Sequence, residues 1–183
     1  MIGKVGNIFI SVVYAKKENI LVYPTGIICT VITVYILYKA EYFGDMMMNI
    51  YYSSMSIYGW WNWTRYKDDN TRIIITYTNY RERLIASLFF LITIIITYSV
   101  YLINSSTIYL ENYIDIFTSG IFFVAMWFMA NKKIESWIFW IVGDLITIPL
   151  YAYRGLGMLS LQYLIFTILA IQGYNQWKKS LVK

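Results

Sequence analysis

The stretch 134-IESWIFWIVGDLITIPLY-151 combines an apolar run of membrane-spanning length with a carboxylate, Asp144, at its centre. A helix that crosses a bilayer needs about 17–25 largely apolar residues. An acid at mid-bilayer costs about 2.5–3.5 kcal/mol on insertion scales and is tolerated where it faces a water-filled cavity or a partner. The stretch therefore predicts a membrane helix in which Asp144 has a role in the function of the protein.

The composition around this stretch is that of a membrane protein with several spans. Of the 183 residues, 59% are hydrophobic, 20% aromatic and only 14% charged, whereas soluble domains are about a quarter charged. The net charge is +5, but the basic residues lie in the gaps between apolar runs, which argues against a nucleic-acid-binding face. The single cysteine, Cys29, and the lack of histidine exclude a disulfide framework and a Cys/His metal cluster.

Six apolar runs are long enough to cross a bilayer, and a shorter apolar segment, Ile2–Tyr14, precedes them. The charged stretch 65–83 predicts a cytoplasmic connection between the second and third runs. The six runs are Ile20–Tyr38, Gly44–Trp63, Leu84–Asn104, Tyr113–Ala130, Ser136–Tyr153 and Gly157–Trp177.

The basic residues orient these spans. If all seven segments cross, twelve Lys and Arg residues lie on one side and three, Lys4, Lys39 and Arg154, on the other. The rich side is expected to be cytoplasmic, with the N-terminus outside and the C-terminus inside. If Ile2–Tyr14 does not cross, only Lys4 changes sides, so the charges do not decide whether that segment crosses the membrane.

An internal repeat favours seven crossings. The stretch 18-ENILVYPTGIICTVIT-33 aligns with 135-ESWIFWIVGDLITIPL-150, which sets Tyr23 against Trp140. After a slip of three residues, the end of the next span aligns in the same way, 57-IYGWWNW-63 with 171-IQGYNQW-177.

The repeat predicts an all-α integral membrane protein with a single transmembrane domain of three, one and three helices. Repeat one covers about 2–64, a connector helix about 84–104, and repeat two about 113–177. Because one helix joins the repeats, they have the same orientation, the parallel-repeat arrangement found among transporters.

Asp144 shares one predicted helical face with aromatic and hydroxyl side chains, because positions three and four apart on a helix are neighbours. Aromatic rings attract cations and stack on flat molecules, and a carboxylate neutralises positive charge. The face therefore predicts a binding site for a flat, cationic organic substrate. In the alternative interpretation, Asp144 bonds to a neighbouring helix and the tryptophans form an interfacial belt. The face consists of Trp137, Trp140, Asp144, Thr147 and Tyr151.

Other spans add polar candidates for the same site. Asn49 and Tyr52 lie on the second long span, and Gln162 and Tyr163 lie on the last. The amides of Asn49 and Gln162 need partners inside a membrane, so they are candidates for substrate contact, with helix packing as the alternative.

Motifs of catalysis do not occur. The chain has no GxxxxGK[ST] phosphate loop, no GxSxG elbow and no histidine to serve as a base. An enzyme is therefore not expected, and no cofactor is expected either.

Together, these stretches resemble the PnuC-type vitamin transporter family. The stretches 137-WIFWIVGD-144 and 149-PLYAYRGLGMLSLQYLIFTILAIQGYNQW-177 resemble the closing half of its members, and 17-KENILVYPTG-26 with 55-MSIYGWWNW-63 resembles the opening half. The Trp-x-x-Trp-x-x-x-Asn/Asp pattern is specific in this order of spans. The resemblance is weakest in the first segment and in 65–83.

The resemblance implies a fold like that of SWEET sugar transporters, a homotrimer, and a facilitator in the bacterial inner membrane. The implied substrate is nicotinamide riboside, which a soluble kinase phosphorylates inside the cell so that it cannot leave. Trp137, Trp140 and Asp144 would then belong to the binding motif, and Asn49 stands where many relatives have Gln.

Other functions remain open at this point. Thiamine is also a flat cation and would suit the same acid, and similar branches of the family carry thiamine or riboflavin. A vitamin-binding subunit that needs an energising partner, and a sugar carrier of SWEET type, are the other candidates.

Overall fold

The computed structural model describes residues 12–39, 43–65, 73–104 and 109–181. These ranges are mostly helical, and a single bridge between Thr76 and Lys133 is their one pairing of extended backbone. The helices are α1 (residues 12–16), α2 (Val22–Lys39), α3 (Phe43–Thr64), α4 (Tyr80–Asn104), α5 (Leu110–Ala130), α6 (Glu135–Tyr153) and α7 (Gly157–Leu181).

The bounds of α2 to α7 follow the predicted spans to within four residues. The largest differences are that α4 begins at Tyr80 rather than Leu84, and that α7 continues to Leu181 beyond Trp177. Residues 2–11 of the predicted first span lie outside the described residues, as do residues 66–72 of the predicted connection.

The fold is that of an integral membrane protein. Within the described ranges, the four helices α4 to α7 are long and apolar enough to cross a bilayer, and α2 has a shorter apolar run, Val22–Tyr35. The most apolar part of α4 is only 11% buried within the chain, so most of its Leu and Ile side chains face outward. In a membrane this surface contacts lipid.

The pairs α2 and α3, α4 and α5, α5 and α6, and α6 and α7 pack against each other, and α3 joins the two halves by packing on α5. The ring of Tyr51 on α3 stacks on Phe123 of α5 at 11° between ring planes, and its hydroxyl donates to the Phe123 carbonyl at 3.0 Å.

Helix ends recur in the two halves at a constant spacing of 114 residues. α1 ends at residue 16 and α5 at Ala130, α2 ends at Lys39 and α6 at Tyr153, and α3 begins at Phe43 and α7 at Gly157. Two left-handed residues follow the same spacing, since Glu18 has φ 53° and Lys132 has φ 51°. Each stands just beyond the end of a helix, where a left-handed residue commonly stops the helix.

Ring contacts repeat with this spacing too. In each half, a ring on one helix lies over a glycine of the next helix, where a Cβ would collide with the ring, and meets a tryptophan edge-on. The ring centroids are 5.1 Å apart at 89° in the first half and 5.5 Å apart at 88° in the second. The two sets are Tyr23 with Gly59 and Trp63, and Trp137 with Gly173 and Trp177.

These contacts correct the register expected from the sequence. Tyr23 corresponds in packing to Trp137, not to Trp140, and the slip of three residues is not needed. The sequence alignment maximised identical residue types, whereas the packing depends on which ring meets the glycine, and a Tyr and a Trp do this equally well.

The two halves exchange equivalent hydrogen bonds at one end of the bundle. Trp63 Nε1 donates to the carbonyl of Met129 at 3.3 Å, and Trp177 Nε1 donates to the carbonyl of Ala15 at 3.2 Å. The two indole centroids are 6.1 Å apart. All four residues are buried and belong to one apolar cluster that spans both halves.

An ion pair closes the same end. Lys132 Nζ lies 3.2 Å from Glu18 Oε2 and 4.6 Å from the ring centroid of Trp63. We call this end of the bundle the basic end. Its described basic residues are Lys16, Lys17, Arg65, Arg81, Arg83, Lys132, Lys133, Lys178 and Lys179.

The segment 73–79 is extended and attached to the turn between α5 and α6. The amide of Thr76 donates to the Lys132 carbonyl at 3.1 Å, and the amide of Ile134 donates to the Thr76 carbonyl at 3.2 Å. Lys133 Nζ is 2.8 Å from Glu82 Oε1 at the start of α4. The described part of the predicted connection is therefore fixed to the second half of the molecule.

Candidate functional site

Asp144 lies in the middle of α6 and is only 2% exposed. Within the described ranges it has neither a hydrogen-bonding partner nor an opposing cation. A carboxylate buried without a partner is costly, because the charged form loses its hydration and gains nothing in return. This residue is therefore the feature of the fold that most requires a further partner.

Four aromatic rings from three helices form a stack beside Asp144. Phe122 of α5 stacks on Trp140 with centroids 5.5 Å apart and planes at 30°, and on Tyr163 of α7 at 6.1 Å and 20°. Tyr163 in turn stacks on Tyr151 at 5.4 Å and 12°. Trp140, Phe122, Tyr163 and Tyr151 are called the aromatic stack below.

The aromatic stack and the carboxylate belong to one site. Tyr163 lies close to Asp144, and its hydroxyl lies close to that of Tyr151. Trp140 lies one helical turn before Asp144 on α6, so their side chains are neighbours on one face. Three of the rings come from residues that the sequence predicted: Trp140, Tyr151 and Tyr163.

Phe122 is the residue that sequence reasoning missed. Its ring lies against the backbone of Gly143, where a Cβ would collide with it. The available signal was Gly143 itself, because a glycine beside a buried acid permits the close approach of another group. The sequence could not show which ring uses that space, because the packing of α5 on α6 is a tertiary contact.

The first half of the chain reaches the site through Tyr52 on α3. Tyr52 lies near Tyr151 and Tyr163, so the two halves approach each other there. A contact between Tyr52 and a substrate stays a prediction. The pair formed by Tyr51 and Phe123 lies next to it along the same helices.

The position that corresponds to Asp144 in the first half is Thr30, which is 114 residues earlier. Its hydroxyl donates to the Gly26 carbonyl at 3.0 Å and accepts a hydrogen bond from Ser53 at 2.7 Å. Thr147, a predicted site residue, is buried and donates to the Gly143 carbonyl at 2.7 Å. The site is therefore asymmetric, with an acid in one half and paired hydroxyls in the other.

Trp137 is placed apart from the aromatic stack. It is 1% exposed, it packs over Gly173 and meets Trp177 edge-on at the basic end. Seven residues separate it from Asp144, which is about 10 Å along a helix. Its indole Nε1 is buried without a partner in the described chain. A direct contact between Trp137 and a substrate stays a prediction.

The two predicted amides are half-buried. Asn49 lies on α3 one turn before Ser53, whose Oγ is 2.9 Å from the Asn49 carbonyl oxygen. Gln162 precedes Tyr163 of the aromatic stack in α7. A role in substrate binding stays a prediction for both.

The arrangement suits recognition of a flat cation rather than a reaction. Parallel rings offer stacking surfaces and attract positive charge, and the carboxylate supplies the opposite charge. A ligand that binds both would place its ring along the stack and its positive charge against Asp144.

Comparison with known proteins gives a matching family. The chain matches the model described as nicotinamide mononucleotide transporter over residues 2–179. It is 22% identical over 189 residues to the nicotinamide riboside transporter PnuC of Escherichia coli (strain K12), which covers 91% of this chain and 79% of that protein.

A second relative and a solved structure are also similar to this chain. The chain is 24% identical over 129 residues to the riboflavin/roseoflavin transporter RibM of Streptomyces davaonensis, which covers 68% of this chain and 59% of RibM. Its fold is similar to the crystal structure of the vitamin B3 transporter PnuC, with a TM-score of 0.73 and 21% identity. That match covers 98% of this chain and 80% of the other.

Proposed function

Because the chain belongs to the nicotinamide mononucleotide transporter family of PnuC-type membrane proteins, we propose that it takes up nicotinamide riboside across the bacterial inner membrane. Membership makes it a membrane vitamin transporter. The choice of substrate and the mode of transport are the parts that we add.

The observation that carries the choice of substrate is Asp144, a buried carboxylate with no partner in the described chain. Nicotinamide riboside carries a pyridinium ring, which is flat and positively charged. It would supply the missing charge to Asp144 and a ring to the aromatic stack.

The charge of the site favours a nucleoside over a nucleotide. A phosphate needs Lys, Arg or a helix N-terminus to balance its charge. No Lys or Arg occurs in the stretches 40–64, 109–131, 134–153 or 155–177, which include the membrane interiors of α3, α5, α6 and α7. A phosphate beside Asp144 would face repulsion without a balancing cation.

The architecture supports transport by alternating access. We propose two parallel repeats of three helices joined by α4, as in SWEET-like folds, since helix ends and ring contacts recur at the same spacing. The excess of Lys and Arg favours a cytoplasmic basic end, with the N-terminus outside and the C-terminus inside. The buried cluster at the basic end then corresponds to a conformation closed toward the cytoplasm.

Facilitated diffusion is the proposed mode. The sequence has no nucleotide-binding loop of its own, so accumulation inside the cell would depend on a soluble kinase that phosphorylates the riboside. The resemblance to PnuC-type proteins also supports a homotrimer.

Thiamine is the second candidate substrate, because it is also a flat cation and Asp144 alone does not separate the two. Riboflavin, which RibM carries, has no positive charge for Asp144 to balance. A vitamin-binding subunit would bind the same ligands without moving them across a membrane unaided.

The test is uptake into liposomes that contain the purified protein, with nicotinamide riboside, thiamine, riboflavin and nicotinamide mononucleotide at equal concentrations. We expect flux of the riboside, and Asp144→Asn should weaken its apparent affinity at least about tenfold, which corresponds to about 1.4 kcal/mol. The matched control is Asp115→Asn, which makes the same change at another carboxylate of a membrane helix. Asp115 Oδ2 accepts a hydrogen bond from the Tyr101 hydroxyl at 2.6 Å.

Each alternative has its own outcome. Flux of thiamine alone would keep the site and change the vitamin. Binding without flux would favour the subunit, and unchanged riboside affinity in Asp144→Asn would contradict the role given to Asp144.

A further inference from the structure

A groove of about 850 Å³ runs along the outside of the bundle between α4, α5 and α6. It lies away from the candidate site, on the surface that faces lipid. Its apolar walls include two ring pairs that meet edge-on, Phe90 with Phe117 and Phe128 with Phe139.

The length of the groove matches one leaflet of a bilayer. Along α4 its lining residues extend from Arg83 to Leu91, and along α5 from Phe128 to Phe117. At about 1.5 Å per residue these are about 12 and 16 Å. Half of a hydrocarbon core is about 15 Å thick.

Polar and charged groups are concentrated at one end of the groove, the basic end. Glu135 Oε1 accepts hydrogen bonds from the amide of Thr78 at 2.9 Å and from its hydroxyl at 2.8 Å. Glu135 Oε2 is buried and has no partner in the described chain. An oxygen of this kind is costly unless a donor outside the described chain satisfies it.

Arg83 lies beside this acid without pairing with it. Its Nε and one terminal nitrogen donate to the Thr78 hydroxyl and carbonyl, both at 3.3 Å. The side chain is exposed and forms no ion pair within the described ranges. The mouth of the groove therefore has an exposed cation beside a buried acceptor oxygen that lacks a donor in the described chain.

We propose that this groove binds a phospholipid with an ethanolamine headgroup. One acyl chain lies along the apolar groove and the phosphate accepts hydrogen bonds from Arg83. The ammonium enters beside Glu135, whose side chain turns so that Oε2 accepts a hydrogen bond from it. Binding in this way needs both the negative phosphate and a positive ammonium that carries N–H groups. A choline headgroup has no N–H to donate to Glu135, and a glycerol headgroup has no positive charge.

The test uses the full chain purified in detergent. Phosphatidylethanolamine, phosphatidylcholine and phosphatidylglycerol with the same acyl chains are added at equal concentration, and the thermal unfolding midpoint is measured. A ligand that binds the folded state raises the midpoint. We expect the largest shift with phosphatidylethanolamine, and native mass spectrometry should detect this lipid bound to the chain.

Two variants test the two parts of the groove. Glu135→Gln keeps an acceptor for Thr78 but removes the charge that holds the ammonium. Val142→Trp fills the apolar part, because Val142 lines the groove and is 42% exposed. Both should abolish the part of the shift that is specific to phosphatidylethanolamine.

Matched controls should keep that shift. Glu111→Gln makes the same chemical change at the opposite end of α5, and Leu145→Trp adds the same ring to an exposed position of α6 outside the groove. Equal shifts with all three lipids, or a specific shift that survives both groove variants, would overturn the proposal. A change of oligomeric mass in Val142→Trp alone would overturn it in favour of an interface between copies of this chain.

Discussion

At the scale of the residue, Gly143 determines whether the site can form. It precedes Asp144, and the ring of Phe122 occupies the space where a Cβ would lie. Phe122 is also the ring that joins Trp140 to Tyr163 in the aromatic stack. A single methyl group at position 143 would therefore act on the stack without touching the carboxylate.

Gly143→Ala is expected to weaken the apparent affinity for nicotinamide riboside about tenfold, or about 1.4 kcal/mol. The added Cβ displaces Phe122 from the stack, and overpacking of this kind costs about 1–3 kcal/mol. Equilibrium binding to the detergent-purified variant measures the effect.

Gly26→Ala is the control for this change, because its Cβ would meet Ser56 Oγ at 3.6 Å, an ordinary contact. It adds the same methyl group to another helix and should leave the affinity unchanged. Equal affinities in the two variants would show that the aromatic stack does not contribute to binding.

Helical spacing predicted much of the site at this scale. Trp140, Asp144 and Tyr151 share a face because their spacings of four and seven residues are close to one and two helical turns. Spacing along one helix is a local property of the sequence. Phe122 was missed because nothing in its own helix indicates that it meets Gly143. Trp137 shares the spacing but lies two turns nearer the basic end, where its ring packs against Trp177 instead of facing the stack.

At the scale of the element, Trp63 and Trp177 tie the last helix of each half to the first helix of the other. Their indole N–H groups donate to the carbonyls of Met129 and Ala15, close to the ends of α5 and α1. Each of these carbonyls also accepts a hydrogen bond from a backbone amide, that of Lys132 or of Glu18, at 3.1 Å, so the indole supplies a further bond at the helix end.

Trp63→Phe and Trp177→Phe are each expected to lower the free energy of unfolding by about 1 kcal/mol, since each removes one buried hydrogen bond. For a chain of this size that lowers the unfolding midpoint by at least about 2 °C. The two effects should be similar, because the bonds are equivalent. Thermal unfolding in detergent measures them.

Trp61→Phe is the matched control, since Trp61 is 56% exposed and its ring lies under Arg65. It should change the midpoint by less than either buried variant. A control as destabilised as the other two would mean that the loss of ring size, and not the lost hydrogen bond, explains the result.

Hydropathy predicted the helices well but not their register. Spans were placed to within four residues because apolar length is a local property of the sequence. The alignment of Tyr23 with Trp140 was wrong because it followed matching residue types. The packing of Tyr23 and Trp137 over their glycines depends on the next helix, which an alignment of single helices does not include.

At the scale of the whole molecule, Glu18 and Lys132 are equivalent positions that contact each other. They are 114 residues apart, and their φ angles are 53° and 51°. Together with the reciprocal bonds of Trp63 and Trp177, this contact is what an approximate twofold axis between the two positions would produce. Their side chains are 33% and 10% exposed, so the pair is shielded in part from water.

This geometry makes an exchange of the two charges informative. Glu18→Lys and Lys132→Glu alone each place like charges together, and each should lower the free energy of unfolding by about 1–3 kcal/mol. The double variant restores the pair with its two charges exchanged across the axis. The ammonium at position 18 would then lie near Trp177, as the ammonium of Lys132 now lies 4.6 Å from the ring centroid of Trp63.

The double variant should therefore recover most of the stability that either single variant loses. Because both positions have the same left-handed backbone, the exchange adds no difference in backbone strain. Thermal unfolding of the four proteins gives the coupling between the two sites. Lys178→Glu, an exposed change at the same end, controls for net charge. A double variant that loses the sum of both single effects would contradict the approximate symmetry, and with it the two-repeat architecture that we propose for alternating access.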